Sequence, residues 1–241
     1  MSSHRRFTKL DCALEHPPCL FVSTRDALIT SADNQVDFFH TAKGDYFEVV
    51  QVDSLDTILM TKDAQGWVLF QHAGDADGYE FTQGVQATTT KQKFVVGTDA
   101  FHLKVTFDIP GVADYDVAAV GFRKLAAYAD VTTAASLITA YEDVAYLNCN
   151  AGDIFTATRL AAGVGTATDT TSNWLDGAEH TLEVYCSAAG VCTFKVDGTS
   201  VGSSFTLTSA ITVIPSIIFV ATEAITSGEE PILVSYECGI Q

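Results

Sequence analysis

Residues 177–198 read GAEHTLEVYCSAAGVCTFKVDG, and this stretch decides the fold. Leu182, Val184 and Cys186 alternate with Thr181, Glu183 and Tyr185; beyond SAAGV, Cys192, Phe194 and Val196 alternate with Thr193 and Lys195. Period-two alternation marks strands with one buried face, and a short loop with glycine between two of them predicts a β-hairpin. Pairing Cys186 with Cys192 sets Val184 opposite Phe194 and Leu182 opposite Val196, so each inward side chain meets another. Asp197-Gly198 ends the second strand as a turn signal.

Working outward, FHLKVTFDI (101–109) is a strand with Phe101, Leu103, Val105, Phe107 and Ile109 on one face, which sends His102 and Lys104 to the other. DYFEVVQV, DTILMT and GWVLFQHA follow one another from Asp45, separated by Asp63-Ala64-Gln65-Gly66, and Asp75-Ala76-Asp77-Gly78 closes the last of them. DVAAVGF and VAYLNC add strands further on, and ITVIPSIIFVA (211–221) reads as a buried strand pair or one long bent strand. KLAAYADVTTAASLITAY (124–141) mixes Ala and Leu with Thr and Val, which predicts a loop carrying one helical turn. The segment 159–177 is expected to hold a weak strand followed by a long loop. Residues 1–41 lack sustained periodicity, and His16-Pro17-Pro18 forces an extended path there. The expected division is an N-terminal arm over 1–41 and a β-sandwich over 42–241. Short strands with turns between them predict an antiparallel sandwich.

The hairpin and several other segments resemble the concanavalin A-like family of lectin, glucanase and laminin-G-like sandwiches. The segments are GYEFTQG (78–84), FVVGTDAFHLKVTFDI (94–109), DVAAVGFRK (116–124), YEDVAYLNCNAGDIFTATR (141–159), TDTTSNWLDG (168–177) and ILVSYECGIQ (232–241). The resemblance is strongest over 78–241 and implies an all-β, antiparallel jelly-roll sandwich. In this combination the segments look most like sandwich domains of tailed-bacteriophage structural proteins. That implies a non-enzymatic virion protein, a capsid decoration or cement protein on the outside of the major coat lattice. The alternative is a glycan- or receptor-binding module of a phage tail or fibre. The partners implied are the major capsid protein, further copies of the chain as a homotrimer, and surface glycans.

Composition bounds these readings. Hydrophobic residues make up 47% of the 241 and charged residues 18%, so Thr, Ser, Gly and Ala must cover much of the surface, as suits a subunit packed against neighbours. The formal net charge is −17, with 13 Lys and Arg against 30 Asp and Glu. Such a body repels a phosphate backbone, which argues against nucleic acid as a partner. Arg5, Arg6 and Lys9 cluster in the first nine residues and make the arm a candidate docking element for an acidic neighbour. MSSHRRFTKLD has no apolar core of a signal peptide, and no apolar run reaches the ~18–20 residues of a membrane helix; a cytosolic product destined for the virion, without membrane contact, is expected. The six cysteines lack paired metal-ligand spacing. Cys186 and Cys192 are expected as cross-strand neighbours, reduced in a cytosolic product.

Few residues suggest chemistry. A retaining glycosidase needs two carboxyl groups about 5–5.5 Å apart. Enzymes related through the resemblance supply them from an E-x-D-x-E strand, and that pattern is absent. Asp75/Asp77 and Asp114/Asp116 lie in turn-like sequence, and Glu179 and Glu183 are separated by Thr181 on the solvent side. The chain is therefore expected not to be an enzyme and to need no cofactor. Asp75, Asp77 and Glu80 form a calcium candidate beside Gly78, although the further ligands of a complete loop are missing. Trp174 and Tyr79 are the glycan-binding candidates, with packing across the sandwich edge the competing role for Trp174. His180 reads as a strand-start residue bonded to nearby backbone.

Overall fold

The computed structural model describes residues 21–23, 48–52, 60–62, 67–69, 78–82, 93–161, 163–222, 225 and 229–241. Its strands are β1 (Phe21–Ser23), β2 (Glu48–Val52), β3 (Met60–Lys62), β4 (Trp67–Leu69), β5 (Gly78–Thr82), β6 (Phe94–Val95), β7 (Phe101–Asp108) and β8 (Tyr115–Lys124). They continue as β9 (Val144–Asn150), β10 (Asp153–Arg159), β11 (Thr166–Asn173), β12 (Glu179–Cys186), β13 (Val191–Val196), β14 (Thr199–Thr206), β15 (Thr212–Ala221) and β16 (Ile232–Ile240). One sheet runs β14-β13-β12-β7-β16-β4-β3, with β1 also on β16. The other runs β11-β10-β9-β8-β15-β5-β2, with β6 also on β15. Every pairing is antiparallel. No helix among the described residues is long and apolar enough to cross a membrane.

The expected hairpin is β12–β13, with Cys186 opposite Cys192, Val184 opposite Phe194 and Leu182 opposite Val196. Asp197 and Gly198 take positive φ values of 52° and 76°, the two-residue connection whose twist matches the flanking strands. That turn leads straight into β14, so the hairpin is the first half of a three-strand meander.

The core lies between the sheets. Phe101, Leu103, Val105 and Phe107 of β7 and Leu182, Val184 and Phe194 of the hairpin are all buried. They face Ala118, Val120 and Phe122 of β8 and Phe219 of β15 in one continuous cluster. Phe101 stacks on Phe94 at 4.7 Å between ring centres and meets Phe122 edge-on, while Phe107 meets Phe219 edge-on at 5.2 Å.

The central strands of the second sheet do not alternate in sequence because both of their faces are covered. On the outer side, Val117, Ala119, Val144, Tyr146, Ala157, Ile218 and Val220 pack under Val131, Leu137 and Tyr141. The covering segment, 125–142, contains one helical turn, α1 (Ala134–Leu137), as expected. A capping box starts it: Thr133 Oγ1 accepts from Ser136 N at 3.1 Å and Ser136 Oγ from Thr133 N at 2.8 Å. Arg159 fastens its end, donating from Nη1 to the carbonyls of Thr139 (2.6 Å) and Tyr141 (3.0 Å). ITVIPSIIFVA is one long strand, β15, buried along almost its whole length.

The expectation of a weak strand and long loop over 159–177 is corrected. β10 ends at Arg159, a short connection follows, and Thr166–Asn173 form a full strand at the sheet edge. Apart from buried Thr170 and half-buried Ser172 its side chains are exposed, so no apolar alternation marks it and β-branched threonine carries the propensity.

Candidate functional site

The residues singled out from the sequence are dispersed. Tyr79 and Trp174, the glycan candidates, are each 1% exposed. Tyr79 lies in the inter-sheet core. Trp174 stacks on Phe107 at 5.6 Å, meets the His180 ring edge-on at 5.0 Å and donates from Nε1 to the Ala178 carbonyl at 2.9 Å. Neither ring offers a platform to a sugar, and both assignments are corrected: the phase of β5 turns Tyr79 inward and the connection after β11 turns Trp174 inward, where each aromatic area is worth most. His180 Nδ1 meets the carboxylate of Asp197 at 2.7 Å, a side-chain partner rather than the expected backbone one.

Glu80, the described member of the calcium candidate, is turned to partners within the protein. It projects from the outer face of β5 beneath the 125–142 cover and is 1% exposed. Its Oε1 accepts from Arg123 Nε at 2.5 Å and from Ser216 Oγ at 2.7 Å, and its Oε2 accepts from Tyr141 OH at 2.6 Å. Arg123 lies over the Tyr141 ring at 4.1 Å and donates from Nη1 to the carbonyls of Lys124 and Ala126. Burial opposes its charge, and Glu80 overrides that to hold the guanidinium protonated. Burial, then the Glu80 charge, pushes the Tyr141 phenol upward. Every Glu80 oxygen is thus spent on the protein itself. Asp75 and Asp77, and the arm residues Arg5, Arg6 and Lys9, lie outside the described residues. Among the described residues no group of three or more His, Cys, Asp or Glu side chains is placed to hold a metal ion.

A different constellation lies on the outer face of the first sheet, away from the core. Register brings Lys195 (β13), Glu183 (β12), Lys104 (β7) and Glu237 (β16) into one row across four adjacent strands, with alternating charge. The neighbouring row holds Thr193, Tyr185, His102 and Gly239. Tyr185 OH donates to Glu183 Oε2 at 2.5 Å, Lys195 Nζ sits over the Tyr185 ring at 4.8 Å, and His102 stacks on that ring at 5.7 Å. His102 Nε2 meets Glu237 Oε1 at 3.0 Å. On the other side of the charged row, Ser235 Oγ donates to Thr106 Oγ1 (2.8 Å), and the Thr106 and Thr181 hydroxyls share a further hydrogen bond (2.9 Å). The face is firm: His102, Thr106 and Glu183 are buried although they point outward, with Tyr185, Lys104, Lys195 and Glu237 half-buried around them. Burial and the bond to Glu183 raise the Tyr185 phenol, which therefore stays protonated and donates. The hairpin β12–β13, β7 and β16 come from distant parts of the chain, so the hairpin phase pointed Glu183 and Lys195 outward without revealing Lys104 and Glu237 beside them. Opposite charges in the outward phase of several strands were the available signal.

No protein-family model and no curated protein matches the sequence. Solved structures match the fold. The metal-free carbohydrate recognition domain of Emp46p shares 9% identity, with a TM-score of 0.54 over 88% of this chain and 93% of that one. An alginate lyase from Pseudomonas aeruginosa shares 9%, with a TM-score of 0.53 over 77% and 87%. A protein of unknown function from Shewanella oneidensis MR-1 shares 11%, with a TM-score of 0.56 over 99% and 96%. Nothing in these matches links the chain to phage proteins, and the virion, capsid-lattice and homotrimer expectations draw no support from them. The expectation that the chain is not an enzyme is also corrected. Alginate lyases share this sandwich, and a missing E-x-D-x-E strand speaks to one class of glycosidase and not to catalysis at large. At such identities the likeness concerns the fold: the chain is an all-β, concanavalin A-like sandwich.

Proposed function

We propose that this chain is a carbohydrate-binding domain that receives a saccharide on the outer face of the first sheet. The observation that carries the proposal is the row Lys195–Glu183–Lys104–Glu237 with Tyr185 and His102 beside it. Sugar hydroxyls both donate and accept, so they are recognised by fixed donors and acceptors that alternate over a short distance. This row alternates lysine donors with carboxylate acceptors at the ~4.8 Å spacing of neighbouring strands. Tyr185, clamped between Lys195 and His102, adds an amphipathic edge. Side chains already held by one another lose little freedom when a ligand arrives, which favours binding by a preorganised surface. The carbohydrate recognition domain and the alginate lyases that share the fold are in keeping with this reading.

Calorimetric titration of the full chain with a panel of neutral hexose and uronate oligosaccharides tests it. Saturable binding of at least one class is expected. The same mixtures, analysed for shortened or unsaturated products, report whether binding is followed by cleavage. A flat response across the panel, with the chain folded, contradicts the proposal.

A further inference from the structure

We propose that Cys186 and Cys192 form an oxidisable dithiol that closes reversibly to a cross-strand disulfide. The two stand directly opposite each other in the β12–β13 register, and both are free and buried. Their phase in the ladder is fixed by its neighbours. Ser187 N donates to Val191 O and Asp197 N to Thr181 O, each at 2.9 Å, so these are hydrogen-bonded pairs. Alternation along an antiparallel ladder then makes Cys186–Cys192 a non-hydrogen-bonded pair, with Cα atoms about 4.5 Å apart and side chains on the same face. That separation falls inside the ~4.4–6.8 Å window a disulfide accepts, so closure needs no large backbone movement.

The local hydrogen bonds permit it. Cys186 Sγ donates to Ser187 O (3.7 Å) and Cys192 Sγ to Gly190 O (3.9 Å), weak bonds that vanish on oxidation. Neither carbonyl is then abandoned, because Ser187 O also accepts from Gly190 N and Gly190 O from Leu207 N. The Cys186 side chain beside it, with burial, raises the Cys192 thiol, so reaction proceeds through opening at the exposed tip, Ser187–Ala189. Cys149 faces Ala118 and Ile154 across its strand pairs, and Cys238 faces Leu103 and Phe21, so neither has a cysteine opposite. With oxidised glutathione as oxidant, two S–H bonds and the glutathione S–S bond break. The protein S–S bond forms, and both protons and both electrons leave with two molecules of reduced glutathione.

The full chain is equilibrated in glutathione buffers of graded ratio, quenched with acid, alkylated under denaturing conditions and mapped by peptide mass spectrometry. Equilibrium is approached from the reduced chain and from chain refolded with the pair already oxidised. Peptides carrying Cys186 and Cys192 are expected to lose two hydrogens and both alkylation sites together, and to regain them in excess reduced glutathione. Cys149 and Cys238 stay alkylatable throughout. Cys192→Val, chosen to keep an apolar side chain, abolishes the paired loss while its circular dichroism stays native. Both thiols remaining alkylatable at every ratio from both directions overturns the proposal. So does failure of the oxidised chain to regain the native spectrum, or glutathione attached to each cysteine separately.

Discussion

Glu80 and Arg123 form an ion pair with both side chains shut from solvent, at 1% and 0% exposure, on the outer face of a sheet rather than in the inter-sheet core. The pair is possible because segment 125–142 closes over it and supplies the Tyr141 hydroxyl and the Ala126 carbonyl, with the Lys124 carbonyl added from the end of β8. It therefore joins the cover to β5, β8 and β15. Removing one member strands the other as a buried, uncompensated charge, at a cost of about 3–5 kcal/mol. Glu80→Ala and Arg123→Ala are each expected to lose that much in urea unfolding. Glu80→Leu combined with Arg123→Met is expected to recover much of the loss, because an apolar pair needs no partner. Single variants within 1 kcal/mol of the parent sink the idea that this pair holds the cover down.

Core truncation gives a second expectation. Phe107 touches Trp174 and Phe219, and Phe194 stands opposite both Val184 and Val201. Replacing either by alanine leaves a cavity between two well-braced sheets, and about 3–5 kcal/mol should be lost on denaturant unfolding. A cost near zero contradicts the inward phase of β7 or β13.

Alkaline pH gives a third. Burial raises the phenols of Tyr115, Tyr141, Tyr146 and Tyr236 above their ordinary value. The folded chain keeps these protons where the unfolded chain gives them up, near pH 10. Protons bound in the unfolded state are then fewer, so stability is fully present below about pH 10 and falls as pH rises beyond it. Phenolate absorbance should appear together with loss of the circular dichroism signal. Ionisation of these four tyrosines in a still-folded chain contradicts their burial.

The hairpin was legible because one face is buried and the other wet, which writes period two into residues 181–196. β8 and β15 were recognisable as strands but not as strands covered on both sides; only the cover, folded back from 125–142, makes sense of their continuous apolar runs. β11 and β14 left little trace. They end their sheets, expose Thr and Ser on both faces, and carry register shifts opposite Ile154/Phe155 and Cys192/Phe194. Such bulges interrupt a free edge and oppose growth of the sheet by a further chain. The aromatic candidates failed for a different reason: a turn-flanking Tyr79 or Trp174 reads alike whether it faces the core or the solvent. The charged row was hidden because Glu237 and Lys195 lie far from Lys104 in sequence, and only strand order makes them neighbours.

The most direct test of the account is the affinity of the outer face for a saccharide selected from the panel, measured side by side for the parent, Tyr185→Ala and Lys195→Ala. The account predicts that both variants keep the parental fold and unfolding midpoint within a few degrees. It also predicts that each weakens binding at least about tenfold, the equivalent of about 1.4 kcal/mol. Parental affinity in both variants, with binding lost instead on substitution at another face, contradicts it.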